Sequence, residues 1–211
     1  MVLQKFIWRW AVVMGISLFT RPVVGHAGPP HGEDIVVGRN GSGQLATEVP
    51  VPGPHELPPV DVFLPGWAAA DPGLLNLAID EPIEDFFVLG PGAIVNLELV
   101  SIDPALKVWS EGFGSVLTSP GQSFIVGGSE FDYHPTFHID SDDPAFDPAT
   151  QVYSATFRLF DTGTTGYAPS EPFTLTFAPV PEPATVLLLG IGACGLLGNR
   201  WRAARPARRR S

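Results

Sequence analysis

Proline and glycine interrupt this chain so often that they decide what it can fold into. The 211 residues include 23 prolines and 23 glycines. Between them the apolar residues form short runs bounded by turn-forming residues, and no segment of the central region has a strong helical period. Short apolar runs of this kind are typical of all-β domains. We therefore expect one antiparallel β-sandwich of immunoglobulin-like size.

Seven segments have the composition and alternation of β-strands. They are residues 34–38, 44–49, 93–102, 123–126, 136–139, 151–160 and 171–177. The sequence Arg39-Asn-Gly-Ser-Gly predicts a hairpin turn between the first two. The proline-rich residues 50–72 are predicted to form an ordered loop or an irregular crossing.

The last two predicted strands have a clear apolar face. We expect the core to contain Tyr153, Ala155, Phe157 and Leu159 from one, and Phe173, Leu175 and Phe177 from the other. The segment between these strands is too long for a tight turn, so it is expected to form an exposed loop.

The N-terminus has the three parts of a secretory signal peptide. Lys5 and Arg9 form a basic start, residues 10–19 are apolar, and small residues lead to Ala27. Cleavage is expected after Ala27, which leaves residues 28–179 as the exported domain. Cleavage after Gly25, which would retain His26, and an uncleaved N-terminal anchor are the alternatives. Cys194 is the only cysteine and lies beyond this domain, so the exported domain has no disulfide.

The exported domain is strongly acidic. It holds 21 of the 22 acidic residues but only three basic ones, Arg39, Lys107 and Arg158, so its formal charge is near −18. Nucleic-acid binders need basic patches, so this class of partner is excluded. An acidic surface suits solubility outside the cell or the binding of cations.

The C-terminus contains a third distinct segment, residues 180–211. Pro181, Glu182 and Pro183 precede an apolar run at 184–197, and the chain ends in a cluster that includes Arg208, Arg209 and Arg210. This segment resembles the PEP-CTERM sorting signal of Gram-negative, biofilm-forming bacteria. The resemblance implies that the tail enters the inner membrane as a helix and that an exosortase recognises Pro-Glu-Pro and processes the protein for export.

The physical properties of the tail agree with that resemblance. Positive charge beside an apolar helix stays in the cytoplasm, which places the residues before Pro181 on the outer side. The apolar core of about 14 to 18 residues is shorter than the roughly 20 that a permanent span needs. A removable or weakly held anchor is therefore expected, and an ordinary tail anchor is the alternative.

These features predict a non-enzymatic protein of the cell surface or extracellular matrix. Its expected partners are the exosortase, the secretion machinery, the inner membrane during transit and extracellular polysaccharide. The sequence has no Gly-x-Ser-x-Gly, phosphate-loop or His-Glu-x-x-His motif. Two alternatives stay open: an extracytoplasmic zinc-binding module, and a hydrolase that acts on matrix polysaccharide.

The zinc hypothesis rests on histidines near both ends of the domain. His31 precedes a Val-Gly strand, and His134 and His138 flank Pro-Thr-Phe. Together with the two predicted strands that precede Pro-Glu-Pro, these histidine segments resemble a PEP-CTERM family whose expression is controlled by a zinc-uptake repressor in cyanobacteria. The resemblance implies that His31, His134 and His138 bind metal, and Asp140 is an acid placed to complete the set.

The spacing of these histidines restricts how they can share an ion. On a straight strand four residues span about 13 Å, so His134 and His138 would need a bend at Pro135 to share one ion. Alternatively, His138 and Asp140 lie on one strand face and meet His31. A third interpretation is that these histidines have no ligand.

The acidic run 140–147 has two interpretations of its own. Its carboxylates would suit calcium, but it lacks the glycine and closing glutamate of an EF-hand loop. A surface turn is the other interpretation.

Overall fold

A computed structural model describes residues 33–51, 53–60 and 63–180. Of these residues, 47% are in strands and 2% in helix, which confirms the all-β class. The strands are β1 (Ile35–Arg39), β2 (Leu45–Glu48), β3 (His55–Leu57), β4 (Pro59–Val60), β5 (Gly66–Ala69), β6 (Leu74–Asn76), β7 (Val95–Ile102), β8 (Leu106–Trp109), β9 (Val116–Leu117), β10 (Ser123–Gly127), β11 (Asp132–Tyr133), β12 (Thr136–Asp140), β13 (Tyr153–Asp161) and β14 (Phe173–Pro179). A 3₁₀ helix covers Glu111–Phe113.

All seven predicted strands are present, with ends that shift by no more than two residues. They are β1, β2, β7, β10, β12, β13 and β14. The two core faces predicted for β13 and β14 are also confirmed. Tyr153, Ala155, Phe157, Leu159, Leu175 and Phe177 are buried, and Phe173 is half-buried against them.

The predicted hairpin between β1 and β2 is confirmed, with a longer turn than Asn-Gly alone would give. Asn40 organises it: its backbone carbonyl accepts from Gly43 N at 3.0 Å, and its side-chain Oδ1 accepts from Gln44 N at 2.9 Å. The left-handed position belongs to Gly43, with φ of 81°, rather than to Gly41. The loop therefore follows the pattern in which a four-residue turn is completed by a left-handed glycine.

The strands form three sheets rather than the two of a simple sandwich. Sheet 1 has the order β10-β7-β13-β14-β3, sheet 2 the order β4-β5-β12-β8-β9, and sheet 3 the order β11-β6-β1-β2. The pairs β1–β6 and β3–β14 are parallel, whereas the other pairs are antiparallel. The prediction of a single antiparallel sandwich is therefore not confirmed, although one core cluster draws residues from all three sheets.

The prediction of an irregular segment at 50–72 is wrong, because β3, β4 and β5 lie within it. Of these three strands only β4 contains a proline, Pro59, which is tolerated because β4 is the edge strand of sheet 2. At an edge, a residue without an amide hydrogen leaves no ladder partner unsatisfied.

Three aromatic side chains join sheet 1 to sheet 2. Phe137 of β12 stacks on Phe177 of β14 with ring centroids 4.4 Å apart, and meets Phe157 of β13 edge-on at 6.4 Å. All three rings are at most 1% exposed. Aromatic pairs in these geometries stabilise a core beyond the area that they bury.

The signal peptide, which we expect to form an N-terminal signal helix, the predicted C-terminal transmembrane helix and the predicted boundary between residues 27 and 28 all lie outside the described residues. Within 33–51, 53–60 and 63–180, no helix is long and apolar enough to cross a membrane. The last strand, β14, ends at Pro179, where the predicted domain also ends.

The contact between the sheets gives a direct stability test. We expect Phe137→Ala to lower the free energy of unfolding by about 3–5 kcal/mol, because it leaves a cavity between two sheets. The matched control is Phe63→Ala, because Phe63 is 90% exposed, and it should change stability by less than about 0.5 kcal/mol. Denaturant unfolding followed by tryptophan fluorescence measures both, and equal effects would contradict the packing described here.

Candidate metal centre at a break between two sheets

Sheets 2 and 3 meet where the segment that contains β5 and β6 changes its pairing register against the segment that contains β11 and β12. β5 pairs with β12 through Phe137 opposite Ala69, and further along the same segments β6 pairs with β11 through Tyr133 opposite Leu74. The register shifts by one residue between the two ladders. The break contains Pro72 and Pro135, which have no amide hydrogen to donate and so end the regular pairing.

Three potential ligands converge at this break. Asp34 directly precedes β1, Asp71 lies in the break itself, and His134 directly follows β11. Ile35 and Tyr133 are both register partners of Leu74, so the residues beside them lie at the same end of sheet 3. One ligand atom from each of Asp34, Asp71 and His134 lies within 4.8 Å of the others. Among the described residues this is the one group of three such side chains.

Gly73 makes the close approach possible. Its amide donates to Asp34 Oδ1 at 2.9 Å. A Cβ at this position would lie 2.6 Å from His134 Cε1 and 3.0 Å from Asp34 Oδ1. The missing side chain therefore leaves the space in which the imidazole and the carboxylate meet.

His134 has an acceptor at each ring nitrogen. Nδ1 lies 3.1 Å from the Ala70 carbonyl oxygen and 3.5 Å from Asp71 Oδ1, and Nε2 lies 3.1 Å from Asp132 Oδ1. Burial acts to lower the pKa of His134, but the Ala70 hydrogen bond and the charges of Asp34, Asp132 and Asp71 outweigh it and raise that pKa. The raised pKa favours the protonated ring, so metal binding would compete with a proton at His134.

A second imidazole, that of His55, is also affected by the charge of Asp71. His55 on β3 is buried; its Nδ1 is 4.0 Å from Glu33 Oε2, and its ring lies 5.7 Å from that of Phe177. Burial lowers the pKa of His55, although the charges of Glu33 and Asp71 act to raise it. Asp71 thus acts electrostatically on two histidines, one favoured in its neutral form and the other in its protonated form.

The structure places the predicted ligand His138 elsewhere. Its ring is 1% exposed, and Nε2 donates to the Pro65 carbonyl oxygen at 3.0 Å. Burial lowers its pKa, and the charge of Lys107 lowers it further, against the effects of Pro65 and Asp140. His138 is therefore a buried imidazole on β12, outside the group formed by Asp34, Asp71 and His134.

Asp140, the fourth predicted ligand, is engaged by Lys107. The Lys107 ammonium contacts both Asp140 and Asp143. Asp140 Oδ1, Asp143 Oδ1 and Asp147 Oδ1 each accept a backbone N–H two residues ahead, at 2.9 Å. The acidic run 140–147 thus forms consecutive side-chain-capped turns around a lysine.

His31 lies outside the described residues, so the four-residue set His31, His134, His138 and Asp140 stays a prediction. The structure adds Asp34 and Asp71, which the sequence pattern did not select. Asp34 follows His31 by three positions, but Asp71 lies in an Asp-Pro-Gly turn with no local sign of a ligand. Only the pairing of β6 with both β1 and β11 joins these positions to His134.

The opposite pKa shifts of His134 and His138 predict opposite pH effects without metal. The ordinary histidine pKa is 6.5. Since the pKa of His134 is raised in the fold, its stabilisation is complete below 6.5 and is lost as the pH rises through the folded value. Since that of His138 is lowered, stability is lost as the pH falls below 6.5 towards the folded value.

Chemical denaturation in EDTA from about pH 5 to about pH 8, the range in which histidine titrates, tests both signs. His138→Gln keeps a donor for Pro65 and should reduce the loss of stability on the acidic side. His134→Gln should reduce the loss on the alkaline side. If His138→Gln instead reduced the loss of stability on the alkaline side, or His134→Gln the loss on the acidic side, the direction assigned to that residue's pKa shift would be contradicted.

Comparison with known families identifies the C-terminal segment that begins where β14 ends. Residues 179–210 match the model of the PEP-CTERM protein-sorting motif. No curated protein and no solved structure matches the chain significantly. The chain therefore carries a PEP-CTERM protein-sorting motif at its C-terminus, and this motif implies exosortase-dependent export to the cell surface and anchoring through the C-terminus.

Proposed function

We propose that this chain is a non-enzymatic component of the cell surface or extracellular matrix, associated with secreted polysaccharide. The supporting observation is the direct junction of domain and signal. β14 ends at Pro179, and the sorting motif covers 179–210. An acidic β-domain therefore leads into its export signal without an intervening linker, so the exosortase processes the chain beside the folded domain.

The charge distribution supports an extracellular role. In the described part of the chain, the three basic side chains all have internal partners. Arg158 pairs with Glu98, Lys107 contacts Asp140, and the Arg39 guanidinium lies 5.1 Å from the Phe87 ring centroid. The remaining carboxylates leave an anionic, well-hydrated outer surface, which favours solubility outside the cell.

The sorting step has a direct test. Replacing Pro181, Glu182 and Pro183 by alanine should abolish processing of the C-terminus and leave the chain in the inner membrane. Fractionation and immunoblotting in a host with its exosortase measure this, and Thr185→Ala is the control inside the same segment. Unchanged export and processing would mean that the tail is only an anchor.

The convergence of Asp34, Asp71 and His134 supports a second candidate function, extracytoplasmic metal binding. Two carboxylates and one imidazole offer the oxygen and nitrogen ligands that zinc takes in proteins. Calcium is the less suitable ion because it prefers an all-oxygen set of six to eight ligands. His31 is the predicted ligand nearest in sequence to Asp34, so it is the first candidate for a fourth position.

Zinc titration of the exported chain tests this candidate. We expect about one zinc per chain by calorimetry, with affinity lowered at least tenfold by Asp34→Asn or His134→Ala, because each removes a ligand. Gly73→Ala should have a similar effect although it keeps every ligand, because its Cβ would collide with the His134 ring. Gly114→Ala is the matched control, since its nearest contact would be 3.8 Å away.

Further variants separate the two ligand sets. If the set Asp34, Asp71 and His134 binds zinc, His138→Gln and Asp140→Asn should retain wild-type affinity. Loss of zinc in those two variants, with none in Asp34→Asn, would instead support the set predicted from sequence. No binding by the wild-type chain would exclude both.

A further inference from the structure

A groove lined by aromatic and proline side chains lies where the described chain ends. Trp67 of β5 stacks on Phe146 with ring centroids 5.7 Å apart and an interplanar angle of 27°. The groove has a volume of about 590 Å³, and its other lining residues are Pro148, Thr150, Gln151, Ala178 and Pro179. It is unrelated to the candidate metal centre, since the two sets of residues do not overlap.

The last described residue is held against this groove. The indole Nε1 of Trp67 donates to the Val180 carbonyl oxygen at 3.0 Å, and Val180 N donates to the Leu57 carbonyl oxygen at 2.9 Å. Pro181, Glu182 and Pro183 follow immediately in the sequence. The chain therefore enters the sorting signature from a point fixed on the groove's aromatic wall.

The groove chemistry suits a Pro-Glu-Pro segment. Proline-rich segments favour the extended polyproline conformation and dock in aromatic grooves at small entropic cost. Thr150 and Gln151 line the groove, and both residue types have neutral side chains that donate hydrogen bonds to carboxylates. A tethered segment also reaches a local concentration of the order of millimolar, which favours it over a separate partner.

We propose that this groove binds Pro181–Pro183 of its own chain, so that the folded domain competes with the exosortase for the recognition signature. The inference rests on exosortase-dependent export and concerns its rate. Because Thr150 and Gln151 are neutral and form no ion pair with a carboxylate, the hold is weak and reversible. The domain thereby slows processing without preventing it.

The docking itself is measurable without exosortase. The full chain is labelled with 5-fluorotryptophan in detergent micelles, and Trp67→Phe assigns the Trp67 resonance. We expect Pro183→Ala to shift that resonance, and Thr185→Ala to leave it in place, with Trp109 unmoved in both. An unchanged Trp67 resonance in Pro183→Ala overturns the proposal, as does a shift that depends on protein concentration, which would indicate a second copy in the groove.

The consequence for sorting is measured by pulse-chase in cells. Phe146→Ala removes one aromatic wall of the groove, so we expect processing to be about two- to tenfold faster. Phe113→Ala is the matched control, because Phe113 packs on Trp109 at 6.0 Å, away from the groove. If Phe146→Ala is processed at the wild-type rate or more slowly, the proposed competition between the domain and the exosortase is overturned. A normally processed Pro181–Pro183 alanine variant would instead refute the sorting step itself, whatever the Trp67 resonance shows.

Discussion

The packing of Phe137 against Phe177 and Phe157 is the contact on which the rest of this domain depends. It brings β12 of sheet 2 onto β13 and β14 of sheet 1, the two strands that lead to the C-terminal signal. Without disulfides in the exported domain, this buried aromatic contact, together with the apolar side chains around it, provides the cross-sheet cohesion. β12 in turn fixes the position of Pro135 and hence of His134, so the candidate metal centre depends on the same core.

The parts of the fold that could be predicted are those encoded by local alternation. β13 and β14 alternate apolar and polar residues over many positions, and both their bounds and their inward faces agree with expectation. β3 and β4 were missed because prolines lie in or beside them, and proline argues against a strand unless the strand lies at an edge, as both of these do. Edge position follows from the order of strands in the complete sheet, which local sequence does not reveal.

The difference between local sequence and long-range strand pairing also explains which residues of the candidate metal centre could be predicted. His134 could be selected because histidine is a common metal ligand, and its neighbour Pro135 lies in the break between the two ladders, although the break does not bring His138 to the same site. Asp34 and Asp71 could not be selected, because acids are abundant and only the parallel pairing of β1 with β6 brings them together. His138 and Asp140 share a strand, yet burial and Lys107 direct them to structural contacts. Sequence spacing thus found one residue of the cluster, and long-range pairing supplied the others.

The internal pairing of Arg39, Lys107 and Arg158 affects how copies of this protein can be arranged outside the cell. With each cation engaged inside its own domain, a copy offers few positive groups to the carboxylates of its neighbour. A domain of this size has a radius of gyration near 15 Å, and its repulsion extends about 30 Å at 0.01 M salt but only about 3 Å at 1 M. In fresh water, neighbouring copies would be held apart by more than their own radius, whereas in brine they could crowd together. Rising salinity therefore shortens the distance over which exported domains repel one another.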